Sequence, residues 1–175
     1  MKVSVENIIA KCNFKGKPDL EEISEKLEGS RYQKDVMDGI IYRLDHPECD
    51  IFILGDGTVK IHGLTSTDDI EKVVNTFSER LDSSDLKMAM ADGYDITEVV
   101  ASTSVDKMNP RKIYETFQED GIVYNPQELP GFILKMGKEG VTVLIFPEGK
   151  IVCKGAKNIE DAVSTLEMVV EALRE

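Results

Sequence analysis

Residues 3–14 alternate apolar and polar positions and are rich in β-branched side chains, which predicts a strand buried on one side. The period then changes. Pro18-Asp19-Leu20-Glu21-Glu22-Ile23-Ser24-Glu25-Lys26-Leu27 has apolar residues at helical spacing behind an acidic first turn, and Gly29 stops it. Residues 39–44, 49–54 and 58–62 read as short strands, separated by the hairpin connections Asp45-His46-Pro47-Glu48 and Gly55-Asp56-Gly57. A helix from about residue 66 to 81 closes this half, with Ile70, Val73, Val74, Phe77 and Leu81 on one face and Asp68-Asp69 at its positive end. The second half repeats the order. Residues 96–105 are the strand, Asn109-Pro110 opens a helix through Phe117, residues 131–136, 141–146 and 150–154 are hairpin strands, and a last helix runs from Asn158.

The halves match in residues as well as in pattern. Ile8-Ile9-Ala10 returns as Val99-Val100-Ala101, 91 positions later. Tyr32 returns as Tyr124, and Gly57-Thr58-Val59-Lys60-Ile61-His62-Gly63 as Gly149-Lys150-Ile151-Val152-Cys153-Lys154-Gly155, both 92 positions later. Two copies of so long a unit are unlike a solenoid, whose repeats run at roughly 20 to 50 residues. They imply one intimate pseudo-symmetric body with repeats at residues 1–88 and 89–175, suited to a partner that is itself pseudo-symmetric. Hairpin strands pair antiparallel and one-striped helices need a sheet face to cover. The expected fold is therefore α+β: a curved antiparallel sheet of about ten strands with helices on one side and the other face open.

Composition narrows the function classes. The 175 residues are 41% hydrophobic, enough to bury a core, and contain no apolar run long enough to span a membrane or act as a signal-peptide core, so the expected place is the cytoplasm. Cys12, Cys49 and Cys153 are scattered, without zinc or redox spacing, and read as small buried residues in a reducing compartment. His46 and His62 are the only histidines and no hydrolase, zincin or phosphate-loop pattern occurs, so no catalytic residue, metal or cofactor is expected. The net charge of −12 argues against a nucleic-acid binder unless the cations are gathered on one surface.

Val5-Glu6-Asn7-Ile8-Ile9-Ala10, Tyr124-Asn125-Pro126 with Leu129-Pro130-Gly131, Val143-Leu144-Ile145-Phe146 and the Gly149 to Lys157 segment, set in a whole-chain duplication, resemble the core domain of the TATA-box-binding protein family. The start directly in strand-like sequence is more like the archaeal members than the nuclear ones. The resemblance implies a saddle that sits on the minor groove of A·T-rich promoter DNA, bends it, and is recognised by transcription factor B and RNA polymerase near the nucleoid. It leaves open a homodimer formed when DNA is absent. The wedges that this family inserts between base steps fall on Met37, Leu54, Leu129 and Phe146, all bulky and apolar although only one is aromatic. The central asparagines fall on Asn7 and Glu98. An ionised Glu98 offers no donor to adenine N3 or thymine O2.

Alternation carries this placement along the strands, putting Asn7, Ile9 and Lys11, Glu98, Val100 and Ser102, Lys60 and His62, and Val152 and Lys154 on the groove face. Phosphate contacts fall on Arg43, with Thr58 and Thr65 where a cation is absent, and on Lys135, Lys150 and Lys157 in the second half. Tyr124, Asn125, Gln127 and Glu128 occupy the loop that meets transcription factor B, with fewer carboxylates than the family pattern. Lysines on one face and carboxylates on the helices would focus a polyanion onto the open face. The same lysines also suit the solvated side of strands guarded against aggregation. The resemblance therefore implies a promoter-binding initiation factor, a divergent paralogue of its family. The alternative is a protein-interaction or regulatory module that keeps the fold and has lost normal TATA recognition.

Overall fold

The computed structural model describes residues 1–137 and 139–175. The elements run β1 (Val3–Asn13), α1 (Leu20–Lys26), β2 (Arg31–Tyr32), β3 (Gly39–Asp45), β4 (Glu48–Leu54), β5 (Thr58–Leu64) and α2 (Asp68–Ser83). The second pass is β6 (Asp95–Ser104), α3 (Pro110–Phe117), β7 (Val123–Tyr124), β8 (Phe132–Met136), β9 (Val141–Ile145), β10 (Lys150–Ala156) and α4 (Ile159–Arg174). Three helices begin at side chains that claim otherwise unpaired backbone donors. Asp19 accepts from the Glu21 and Glu22 amides, Asn109 from Arg111 with Pro110 in the first turn, and Asn158 from Asp161. Each such cap contributes about 1 kcal/mol.

The strands hydrogen-bond in the order β2-β3-β4-β5-β1-β6-β10-β9-β8-β7. The chain divides into two compact units, one of Asn7–Thr97 and one of Met1–Glu6 with Glu98–Glu175. Both boundaries fall inside strands, so each unit holds its own share of β1 and β6. In the first unit the Thr97 hydroxyl donates to the Ile9 carbonyl at 3.2 Å. In the second the Thr103 hydroxyl donates to the Lys2 carbonyl at 2.8 Å, and the Ser102 hydroxyl donates to Glu6. These hydroxyls satisfy polar groups at positions that are largely buried.

Helices cover one face of the strands in each unit. In the first, Ile8, Ala10 and Cys12 of β1, Ile51 and Ile53 of β4, and Val59 and Ile61 of β5 are buried together with Ile70, Val73, Phe77 and Leu81 of α2. The Phe77 ring lies 6.2 Å from that of Phe14 and 6.1 Å from that of Tyr42. In the second, Val99 and Ala101 of β6, Val143 and Ile145 of β9, and Ile151 and Cys153 of β10 are buried with Ala162, Leu166, Val169 and Val170 of α4. Odd-even parity therefore decides which side chains the helices take and which they leave.

Each unit corrects its register with a glycine. Ile8 faces Leu64 but Ala10 faces Ile61, so β5 carries one residue more than β1 across that step. Gly63 lies there at φ +100°. The same offset separates Cys153 opposite Ala101 from Ala156 opposite Val99, with Gly155 at φ +86°. A β-bulge with glycine in the left-handed region explains why the repeated strand motif ends in glycine in both halves. Strands β2 and β7, of two residues each, have no counterpart in the predicted ranges, because so short a segment shows no periodicity.

Two outcomes follow from this packing. A Cβ at Gly149, where φ is +115°, would collide with the Val105 carbonyl oxygen, so Gly149→Ala lowers stability by about 2 kcal/mol or more, read as a lower urea midpoint. Burial pushes the Cys12 and Cys49 thiols up to about 11, so the folded state favours their neutral form. That contribution is intact below pH 9 and is lost as pH rises from 9 toward 11, where the unfolded chain ionises first. Urea midpoints measured from pH 8 to 10.5 should fall less steeply for Cys12→Ala than for the parent chain.

Candidate nucleic-acid interface

The face that the helices leave uncovered is built from cross-strand rows. In the first unit Arg31 opposes Ile41, Ile41 opposes Phe52, Phe52 opposes Lys60 and Lys60 opposes Lys11. The next row sets Arg43 against Asp50 and Asp50 against His62. In the second unit the corresponding rows are Val123, Ile133, Leu144, Val152 and Ser102, then Lys135 against Thr142 and Thr142 against Lys154. Each row is a line of side chains about 5 Å apart, reaching away from the helices. One row ends in two lysines and its counterpart in a valine and a serine.

Asn7, Ile9 and Lys11 have the parity opposite to buried Ile8, Ala10 and Cys12, and all three are half-buried. The Gly63 amide donates to Asn7 Oδ1 at 2.7 Å, which leaves the Asn7 amide nitrogen with both donors directed elsewhere. Glu98 and Val100 likewise alternate with buried Val99 and Ala101. Ser102 shares their parity, yet it is only 6% exposed because Glu6 lies over it and accepts its hydroxyl. It is covered, unlike the accessible groove-face position expected. Phe52 and His62 meet with ring centroids 4.8 Å apart. Phe52, Ile41, Ile133 and Leu144 belong to the same face, although the sequence pattern does not single them out. Stepping two residues back from Leu54, Arg43, Lys135 and Phe146 reaches each of them. In β4 the run Ile51-Phe52-Ile53-Leu54 is apolar on both sides, which hides the alternation.

The four wedge candidates flank two glycines related by 92 positions. Met37 ends a turn whose amide donates to the Gln33 carbonyl at 2.8 Å, and Leu129 ends the matching turn on Asn125 at 3.0 Å. A Cβ at Gly39 would lie 2.9 Å from Met37 Cε and 3.1 Å from Leu54 Cδ2, so both side chains lean on that bare backbone. At Gly131 a Cβ would meet the Phe146 ring at 2.8 Å. Met37, Leu54, Leu129 and Phe146 are all half-buried: seated, but not taken into the core. Glycine at 39 and 131 is thus required by the close approach of a backbone carbonyl, Ile53 at 2.9 Å and Ile145 at 3.1 Å from such a Cβ, together with these apolar side chains.

The cations differ between the halves. Arg43 is held by Glu48 and by Asp50, the latter at 3.2 Å. Lys150 lies 3.9 Å from Glu6, and Lys157 is exposed. Among the described residues no carboxylate is within ion-pair distance of Lys60, Lys135 or Lys154. The Thr58 amide, which donates to Asp56 at 2.9 Å, lowers the Asp56 pKa, and the charge of Lys11 adds to that effect. The acidic groups gather on the helices instead, at Glu21 and Glu22, Asp68, Asp69 and Glu71, and Glu160 and Asp161. In the loop 124–128, Tyr124 stacks on Phe132 at 4.5 Å, Asn125 accepts the Gln127 amide at 3.3 Å, and Gln127 and Glu128 are exposed. Among the described residues no group of three or more His, Cys, Asp or Glu side chains is arranged to hold a metal, and no helix is long and apolar enough to cross a membrane.

Residues 2–84 and 93–175 match the family model described as transcription factor TFIID, or TATA-binding protein. The chain belongs to the TATA-binding protein family. It is similar to the TATA-box-binding protein of Picrophilus torridus, 30% identical over 166 residues that span 93% of this chain and 90% of that one. The TATA-box-binding protein of Pyrococcus furiosus is 31% identical over 176 residues, which span 100% of this chain and 90% of the relative. Among solved structures, Methanococcus jannaschii TBP matches with a TM-score of 0.84 over 99% of each chain at 24% identity. That likeness establishes the fold: the ten-stranded sheet with helices on one face is the TATA-binding protein architecture that the resemblance implied.

Proposed function

We propose that this member of the family is a general transcription-initiation factor that binds and bends A·T-rich promoter DNA through the minor groove. The observation that carries this reading is the duplicated seat at Gly39 and Gly131, where half-buried apolar side chains stand on bare backbone at matched positions of the two repeats. The family is itself the standing example of minor-groove binding by apolar wedges, which partly unstack base steps and bend the duplex so that more protein surface is engaged. Met37, Leu54, Leu129 and Phe146 are the wedges, and Phe146 alone brings an aromatic face to a base. Ile9, Ile41 and Phe52 in the first unit, and Val100, Ile133, Leu144 and Val152 in the second, give each unit an apolar floor beside its wedges, with Asn7 as a donor to base-edge acceptors.

Phosphates are held chiefly by Lys135, Lys150 and Lys157 of the second repeat, with Lys11, Lys60 and Lys154 adding positive potential on the groove face, where His62 also lies. Acidic helices on the opposite side sharpen that potential, so an overall charge of −12 is compatible with a polyanionic ligand. Transcription factor B docks on the loop at Tyr124, Asn125, Gln127 and Glu128, RNA polymerase follows, and the open faces of two copies associate when DNA is absent. The protein works by binding rather than catalysis, in the cytoplasm at the nucleoid.

Energy transfer across a doubly labelled TATA-containing duplex should report bending that an A·T-poor control does not show. Affinity should fall with a log–log salt slope of about −3, reflecting a few phosphate contacts. Phe146→Ala should reduce bending more than weak nonspecific association. No bending at low salt by the folded protein would overturn the reading. Glu48→Gln with Asp50→Asn releases Arg43 from its two carboxylates, so this variant should bind more tightly and steepen the salt slope by about 1.

A further inference from the structure

We infer that Glu98 reads the exocyclic N2 amine of guanine, so that this protein selects a G·C pair within the half-site under its second repeat. The inference rests on the minor-groove reading above and gives it a sequence preference. Asn7 and Glu98 hold equivalent places in the two repeats, each on the uncovered face and each next to the strand that carries a glycine bulge. Their chemistry is opposite. The Gly63 amide occupies the Asn7 oxygen, so what Asn7 offers is a pair of N–H donors. A backbone amide can only donate, and this fixes which way the Asn7 side chain is turned.

Glu98 is half-buried and, among the described residues, neither a hydrogen bond nor an ion pair engages its carboxylate. Val100, its same-face neighbour along β6, brings no donor, and Lys154, one step past the Cys153–Ala101 pair on β10, makes no ion pair with it. An ionised carboxylate has only acceptors. An A·T or T·A pair presents only acceptors to the minor groove, adenine N3 and thymine O2, and a G·C pair adds one donor, the guanine N2 amine. Docking removes water from Glu98. At an A·T pair the carboxylate would then face like groups with nothing to bond, whereas at a G·C pair the amine supplies the missing donor. Discrimination arises as much from the penalty at A·T as from the bond at G·C.

The experiment is equilibrium binding by fluorescence anisotropy. In a TATA-type duplex, each central pair is replaced in turn by G·C, by inosine·C, which lacks only the N2 amine, and by 2,6-diaminopurine·T, which adds it. The expected result is one position at which G·C and diaminopurine·T bind about tenfold more tightly than A·T and inosine·C, the factor that one well-placed base contact supplies. Glu98→Asn should erase that difference and raise affinity for the all-A·T duplex, and the base analogues test the parent chain without any substitution. Equal binding of guanine and inosine duplexes at every position overturns the assignment while groove binding stands. Failure to bind any duplex overturns both.

Discussion

Because the helices pack against only one face of the strands, parity commits every strand residue to one of two environments, and a slip of one residue would exchange them. The bulges at Gly63 and Gly155 set that parity where β5 meets β1 and β10 meets β6. Upstream of each glycine the strand presents Lys60 and His62, or Val152 and Lys154, to the open side while Ile61 or Ile151 and Cys153 go under the helices. Without the extra residue the bulged strands could not keep both halves of their length in phase with β1 and β6. The core and the binding face are two readings of one register.

Duplication supplies the frame and divergence supplies the chemistry. The seats at Gly39 and Gly131, the turns before Met37 and Leu129 and the bulges are the same in both repeats, since each is dictated by backbone geometry. The side chains mounted on that frame differ: Leu54 against Phe146, Lys60 against Val152, Asn7 against Glu98. An asymmetric ligand is the natural match for such a face, because equal and opposite half-sites would leave one repeat mismatched.

The fold was largely legible because its long elements have strong periods. The predicted range 58–62 stops short of Leu64, as Gly63 interrupts the alternation that marks a strand. The predicted start of α2 lies two residues early: the Ser66 hydroxyl accepts the Asp68 amide at 3.3 Å from outside the helix, and Thr67, which makes no side-chain cap, precedes its first turn. The wedge positions and the cations came through resemblance, and no pattern of hydrophobicity would have found them. Phe52 and Leu144 are hidden for the opposite reason: along residues 51–54 and 143–146 both faces are apolar, and parity shows only when it is carried across from a neighbouring strand. Nor does sequence reveal that Glu48 and Asp50 hold Arg43 or that Glu6 covers Ser102, for these depend on cross-strand neighbours and side-chain reach.

The strand boundaries of the two units also bear on the order of events at the ribosome. Asn7–Thr97 is one contiguous stretch, whereas residues 1–6 belong with Glu98–Glu175. Lys2 waits for Thr103, 101 residues away, and Glu6 for Ser102, 96 residues away. At roughly 5 to 20 residues per second that delay is on the order of 5 to 20 s, long compared with the folding of a small domain. During it the first unit can complete while the leading segment stays an unpaired strand end, open to whatever nascent-chain factor reaches it first.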